Sequence, residues 1–429
     1  MSIRLWGEIK DPIHGYIYLN ELERALIDAA PMQRLRRIRQ LSTAYLTYPG
    51  AEHTRFHHSL GVMQIAGEIG DHLRRLGALD EEGVAKARLA GLLHDIGHGP
   101  FSHLFEEVLE RKGVTHEDLG RLLIKGGDVS DILLSQGYDA DEISKLSTGV
   151  LDGEPVMNQI ISGQFSADVM DYLVRDSYFT GVEYGRIDVK RLVNSLDVVE
   201  GRLMMDVTAL YALEAFMIAR YEMFKAVYFH RTVRAAAVML VRAMKYADDR
   251  LGLSSFRKVE EFLELDDSSL MNRLFSLKGA RDKPSRMAYE LSTCFRNRRL
   301  LKCAYEKVVH RRDPFLVNIL NRGEVRSELE NEIARKAEVD PDFVIIDVST
   351  ATSVPQSSER RMDEPQIFSR SPEGLKTSLL FRDHSPVVSV LTGYLDIIRV
   401  YARQEDLEPV KKSVRGLFER ESTAIKISY

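Results

Sequence analysis

Apolar residues along this chain change their spacing in a way that divides it into three stretches. In the first twenty residues polar and apolar positions alternate around Asp11-Pro12-Ile13-His14-Gly15, followed by Tyr16-Ile17-Tyr18-Leu19, which predicts a short hairpin. From Glu21 to about Gly252 apolar residues recur every three or four positions, the spacing of amphipathic helices. Leu22, Ala25, Leu26 and Ala29 begin this pattern, and Ile65, Ile69 and Leu73, then 210–221 and 235–246, continue it. Residues 253–335 are rich in Arg and Glu and still predict helix. Near Asp340 the character changes: 343–348 predicts a buried strand, 349–364 a polar loop, 379–382 and 397–402 strands, and 407–419 a helix. The expected fold class is mainly α, with a helical body over 1–335 and a small α/β C-terminal lobe over 336–429.

Composition narrows the picture little. The net charge of −5 over 429 residues gives no argument for nucleic-acid binding. Cys294 and Cys303 have neither metal nor disulfide spacing and suit a reducing compartment. Residues 1–10 lack the apolar core of a signal peptide, and no apolar run approaches a membrane span. A cytoplasmic protein without a membrane partner is expected. Histidine is the anomaly: eight of 12 fall between His53 and His116, which points to a site in that segment.

The centre of that segment is Leu92-Leu93-His94-Asp95-Ile96-Gly97-His98-Gly99-Pro100, where an apolar helical run ends on an imidazole and a carboxylate. Burying such neighbours is costly without compensation, and a divalent cation compensates both. His58, near a predicted helix start, supplies a third ligand. Asp168 supplies a fourth, on a stripe where Asp168, Asp171, Tyr172, Arg175 and Asp176 fall at i, i+3, i+4, i+7 and i+8. Apolar flanks make that stripe the wall of a cleft rather than a surface. Two imidazoles and two carboxylates suit Fe, Mn, Ni, Co or Zn better than an all-oxygen ion, and leave positions for water and a substrate oxygen. Such an ion polarises a phosphoryl oxygen and acidifies its water. Singly, each residue has a plainer reading: His58 as a helix-start hydrogen bond, Asp168 as a partner of Arg175.

The order His58, His94-Asp95, Asp168 resembles the HD-domain phosphohydrolases, so the helical body is expected to be an HD-domain core. Gln33-Arg34-Leu35-Arg36, Gln40-Leu41, Tyr48-Pro49-Gly50-Ala51, Arg55-Phe56, His58-Ser59-Leu60-Gly61-Val62, the run His94 to His103, His116-Glu117 and Asp171-Tyr172-x-x-Arg175-Asp176 are similar to one subgroup. That subgroup is the deoxynucleoside triphosphate triphosphohydrolases, which include the sterile-alpha-motif-and-HD-domain protein of animals; no sterile alpha motif is expected here. The similarity covers about residues 5 to 250. It implies cleavage between the 5′ oxygen and the α-phosphorus of a dNTP. His58, His94, Asp95 and Asp168 would hold the metal, with a Mg ion on the triphosphate. His98 and His103 would face the phosphates, His103 as general acid, oriented by His116 and Glu117. Arg55 and Arg220 would bind phosphate oxygens. Gln40, Leu41, Asp171, Tyr172 and Asp176 would line the substrate pocket, with Tyr172 under C2′, and Tyr228 would pack on sugar or base. The same resemblance places a guanine-nucleotide activator on Asp28, Gln33 and Arg36 of a homo-oligomer, dimer or tetramer.

Plainer readings stand beside these. His98 is also a plausible helix cap, His116-Glu117 an exposed pair, Arg220 a surface arginine, Tyr228 a core residue, and the arginines of 32–39 a solvated face. Two departures bear on substrate: Ser42-Thr43-Ala44 replaces a glycine run, and Val169 replaces a lysine whose phosphate contact would pass to Lys225 or Arg231. A phosphatase acting on nucleoside monophosphates or another phosphoester is therefore the alternative enzyme. A nucleotide- or nucleic-acid-binding scaffold is the alternative of another class.

Overall fold

The structure, a computed structural model, describes residues 6–256, 258–310, 318–351, 366–387 and 395–418. These residues are mainly helical, as expected. Contacts divide the chain into two compact units that interleave in sequence. The first comprises Met1–Met223, Gly252–Arg273 and Val354–Thr392; the second comprises Phe224–Leu251, Leu274–Ser353 and Gly393–Tyr429. Residue 335 thus lies inside the second unit, while 366–370 and 376–380 belong to the first.

The first unit opens with the expected hairpin, β1 (Gly7–Asp11) paired antiparallel with β2 (Gly15–Leu19). The Asp11 carboxylate accepts the N–H groups of Ile13 and His14, both at 2.9 Å, and Gly15 takes the left-handed φ of +76° that closes the turn. Asn20 and Glu23 then form a reciprocal capping box that starts the helix Glu21–Asp28.

The helix Arg55–Arg75 packs against both Glu81–Leu93 and Ala167–Thr180. Leu60, Met63, Ile65, Ala66, Ile69 and Leu73 bury its apolar residues. Two glycines permit the approaches that build the site. A Cβ at Gly61 would overlap the carboxylate of Asp171 and the guanidinium of Arg175. A Cβ at Gly97 would overlap the His116 carbonyl and the Gly120 backbone, so the turn after His94 lies directly on the helix His116–Ile124.

Strands interrupt segments whose pattern predicts helix. β3 (Leu196–Val199) and β4 (Arg202–Asp206) form a hairpin across Glu200 and Gly201, both at positive φ. Glu-Gly is a weaker sequence signal for this turn than Asn-Gly or Asp-Gly. β7 (Gln366–Arg370) pairs parallel with β4, and β8 (Lys376–Leu380) antiparallel with β7. The strand expected at 379–382 therefore ends at Leu380, and the helix Phe381–His384 follows.

In the second unit β9 (Leu395–Ala402) lies between β5 (Lys302–His310) and β6 (Ile345–Ala351), antiparallel to both. Ala304, Ile346 and Val400 pack against Ile333 and Ala334 of the helix Gly323–Ala337 and Val410 and Val414 of the helix Leu407–Phe418. β5 lies where helix was expected. A register shift between Cys303 and Tyr305 breaks its two-residue alternation, and Val308 on this edge strand is exposed. Of the loop expected at 349–364, residues 349–351 belong to β6 and the remainder lie outside the described residues.

Candidate active site

The four expected metal ligands meet in the first unit. His58 sits in the first turn of its helix, His94 caps the end of Glu81–Leu93, and Asp168 opens Ala167–Thr180 behind the Ser166 cap. The Nε2 atoms of His58 and His94 face one another at 3.3 Å. Asp168 Oδ1 lies 3.0 Å from His58 Nε2, and Asp95 Oδ1 3.3 Å from His94 Nε2. The other ring nitrogens are committed: His94 Nδ1 to the Gly91 carbonyl at 2.8 Å, and His58 Nδ1 to Asp171 Oδ2 at 2.8 Å. With those nitrogens donating, both Nε2 atoms would present lone pairs to the same point, an arrangement that suits a cation there. The residues fit a divalent metal. In its absence a proton fills the role: burial disfavours the charged imidazole, but Asp168, Asp171 and Asp95 outweigh it and raise His58 to about 10.

An outer layer fixes these ligands. Asp171 is fully buried and also binds His14 Nε2 at 2.6 Å and Arg175 at 2.8 Å; Arg175 in turn reaches Asp11 at 2.8 Å. The N-terminal hairpin thus holds the carboxylate that orients His58. On the other side Arg55 Nη1 donates to Asp95 Oδ2 at 2.7 Å. Burial opposes ionisation of Asp95, but Arg55, His94 and His98 hold its carboxyl well below the usual range.

Beside this lies a second cluster. Glu106 Oε1 sits 2.8 Å from His103 Nδ1, 2.8 Å from His116 Nδ1 and 3.6 Å from His98 Nδ1. His98 stacks on His116 with ring centroids 4.0 Å apart at 14°. The cluster brings ligand atoms of His98, His103, Glu106 and His116 within 4.8 Å of one another, close enough to share a proton or an ion. Its charges separate accordingly. Burial and then Arg55 hold His98 well below the usual histidine range and keep it neutral. Burial would also lower His116, but Glu106 outweighs it and raises it. Glu106 is itself held far below the usual carboxylate range, with His103 and His116 overcoming its burial. Both clusters border one cleft of about 180 Å³, with Gln40, Arg55, Tyr172 and Glu117 on its walls.

Residues 55–176 match the family model for the HD domain, and residues 187–424 match that for the HD associated region. The chain belongs to the HD-domain phosphohydrolase family. It is 31% identical over 318 residues to the deoxynucleoside triphosphate triphosphohydrolase SAMHD1 homolog of Dictyostelium discoideum, covering 70% of this chain and 60% of that protein. It spans 55–57% of the length of two further curated relatives. A solved hypothetical protein from Aquifex aeolicus is similar at 31% identity and a TM-score of 0.75, over 96% of this chain and 100% of that one. A phosphohydrolase from Bacteroides thetaiotaomicron is similar at 25% identity and a TM-score of 0.73, over 94% and 100%.

Within this HD domain the residues expected at the substrate divide. Gln40, Arg55 and Tyr172 line the cleft; burial raises the Tyr172 phenol to about 12, with Arg220 opposing. Leu41 is half-buried in the turn before Ala44, and Asp176 is buried against His53 at 2.7 Å. Asp171 binds His58, His14 and Arg175 and does not line the cleft. Val169 is buried. Arg220 is buried in the first unit, whereas Tyr228 belongs to the second, edge-on to Phe224 at 5.0 Å. The carboxylate joining His103 to His116 is Glu106, not Glu117, which lines the cleft and adds a weaker field at His116. At the expected activator site Arg36 Nε donates to Gln33 Oε1 at 2.9 Å and Gln33 Nε2 to the Ile27 carbonyl at 2.8 Å, while Asp28 is exposed. Arg34, expected on a solvated face, is buried and donates to the carbonyls of His98 and Leu265.

Sequence reasoning missed Glu106, His14, Asp11 and Arg34. Glu106 stood one helical turn from His103 and was detectable at that spacing. His14 stands 157 residues from Asp171, and nothing local marks the pair. Ser147, Thr148 and Ser162 also line the cleft and carry no motif. No helix among the described residues is long and apolar enough to cross a membrane.

Proposed function

We propose that the protein hydrolyses deoxynucleoside triphosphates to deoxynucleoside and inorganic triphosphate. The observation that supports this best is the pairing of His58, His94 and Asp95, with Asp168 beside them, with a separate histidine–glutamate cluster on one cleft, whose wall includes Tyr172. Similarity to a relative named as a triphosphohydrolase homolog adds to it.

His58, His94, Asp95 and Asp168 would hold one divalent ion, drawn from Mn, Fe, Ni, Zn or Co. When bound, it would supply Lewis acidity and a more acidic water. Arg55 donates to Asp95 and offers its remaining guanidinium edge to phosphate oxygens. Water adds to the α-phosphorus, the bond to the 5′ oxygen breaks, and His103 delivers its proton to that oxygen. Glu106 Oε1 lies 2.8 Å from both His103 Nδ1 and His116 Nδ1, so the carboxylate orients the His103 ring, and the proton that His103 gives up from Nε2 is restored from solvent at its exposed side chain. Tyr172 packs where a ribose 2′-hydroxyl would need room. Mg on the triphosphate, a guanine nucleotide at Asp28, Gln33 and Arg36, a dimeric or tetrameric assembly and a cytoplasmic site of action complete the proposal.

A phosphatase acting on nucleoside monophosphates is the second reading, favoured by Val169, whose buried side chain offers no phosphate contact. Anion-exchange analysis of the Mn- or Mg-loaded protein with four dNTPs plus GTP separates the two. Deoxynucleoside with intact triphosphate is expected. Orthophosphate or pyrophosphate would place the bond cleavage elsewhere and overturn the first reading.

A further inference from the structure

The residue before the proposed acid stands in a costly conformation. Phe101 and Ser102 both lie in the left-handed region, at φ of +54° and +56°, although neither is glycine. Each such residue costs about 1–3 kcal/mol and persists only where its surroundings dictate it. Here they turn the chain from Pro100 into the helix His103–Leu109. The turn therefore sets where His103 begins.

Four hydrogen bonds impose the conformation. The Ser42 hydroxyl donates to the Phe101 carbonyl at 2.6 Å. The Ser102 hydroxyl donates to the Arg39 carbonyl at 2.8 Å and accepts from Arg55 Nε at 2.8 Å, and does not cap its own helix. The Phe101 N–H donates to Asp267 Oδ1 at 2.7 Å. The other oxygen of that carboxylate accepts the Arg39 N–H at 3.1 Å, so one side chain ties this turn to the bend that carries Gln40 and Leu41. Asp267 is buried and lies in the HD associated region, outside the matched HD domain. It does not line the cleft.

We infer that Asp267 is a positioning residue for the proton transfer, fixing His103 over the leaving oxygen by holding Phe101 and Ser102 in their left-handed turn. This rests on His103 being the general acid. It predicts a loss that depends on the leaving group. A 5′-hydroxyl must be protonated as it departs, whereas p-nitrophenolate leaves unaided.

The test compares wild type, Asp267→Asn, Ser42→Ala and His103→Ala on a dNTP and on bis(p-nitrophenyl) phosphate, with metal content and thermal unfolding measured alongside. Asparagine keeps one acceptor and loses the other. Asp267→Asn is expected to lower kcat on the dNTP by at least tenfold, with KM and metal content unchanged, and to change aryl ester hydrolysis less than twofold. Ser42→Ala is expected to show the same selectivity, more weakly, and remains informative should Asp267→Asn fail to fold. Equal losses on both substrates in Asp267→Asn, or in Ser42→Ala if that is the folded variant, would overturn the inference while selectivity persists in His103→Ala. Equal losses in His103→Ala would overturn the acid assignment and the inference with it.

Discussion

The two halves of the cleft are built on different principles. On the metal side His58 is buried, each free ring nitrogen is spent on a carbonyl or carboxylate, and a layer of Asp171, Arg175, Asp11 and His14 lies behind. On the relay side His103 is 68% exposed, Glu106 is 26% exposed, and position depends on a strained turn. A metal centre can be made rigid because its ligands need only stay in place. A proton donor must meet substrate and solvent, so its rigidity comes from the backbone beneath it. The two halves should therefore fail differently.

The largest effect belongs to the ligands. His94→Ala is expected to lose bound metal and to lower turnover by about 10³-fold, some 4 kcal/mol of barrier. Metal analysis of the purified variant checks this, and a variant retaining a full equivalent of tightly held metal would break the assignment. Glu106→Gln is next, expected to cost about 10²-fold in kcat while metal content stays at wild-type level. Glu117→Gln in parallel should cost much less, because Glu117 does not bridge His103 and His116. His14→Ala should weaken metal affinity by about tenfold, through Asp171 and His58, with the rate recovered at saturating metal. A rate defect that metal cannot rescue would move His14 out of that layer.

The smallest effects concern pH. His58 must surrender its proton to an ion, so metal binding is expected to release one proton and to tighten as pH rises toward about 10. Calorimetry in buffers of different ionisation enthalpy counts that proton. Stability carries a separate signature. Glu106 is depressed from 4.5, so its contribution is present above that value and lost as pH falls through its folded pKa. His116 is raised from 6.5, so its contribution is present below that value and lost as pH rises through its folded pKa. The pair thus stabilises most between 4.5 and 6.5. Glu106→Gln should be less stable than wild type by about 1 kcal/mol in that window, with the gap closing above it. Melting curves across pH test the sign.

The candidate metal ligands were legible because each stands at a helix end or on a polar stripe whose periodicity locates it. The residues that aim them were not. His14 sits in a hairpin readable as a hairpin, and only the docking of that hairpin onto Asp171 gives it a role. Arg34 lies in a run of arginines whose density suggests a solvated face, yet its guanidinium is buried against the His98 carbonyl. Asp171 shares a stripe with Asp168, and spacing alone cannot tell a carboxylate that holds metal from one that holds a ligand's far nitrogen. The helices of the body followed their apolar period. β3, β4 and β5 escaped because an Glu-Gly turn and a register shift hid them.

The contact between His14 and Asp171 closes a loop of 157 residues. Closing so long a loop is entropically unfavourable until the intervening helices have packed, so the contact is expected late in folding. High-affinity capture of metal would then report that the first and last elements of this loop have met.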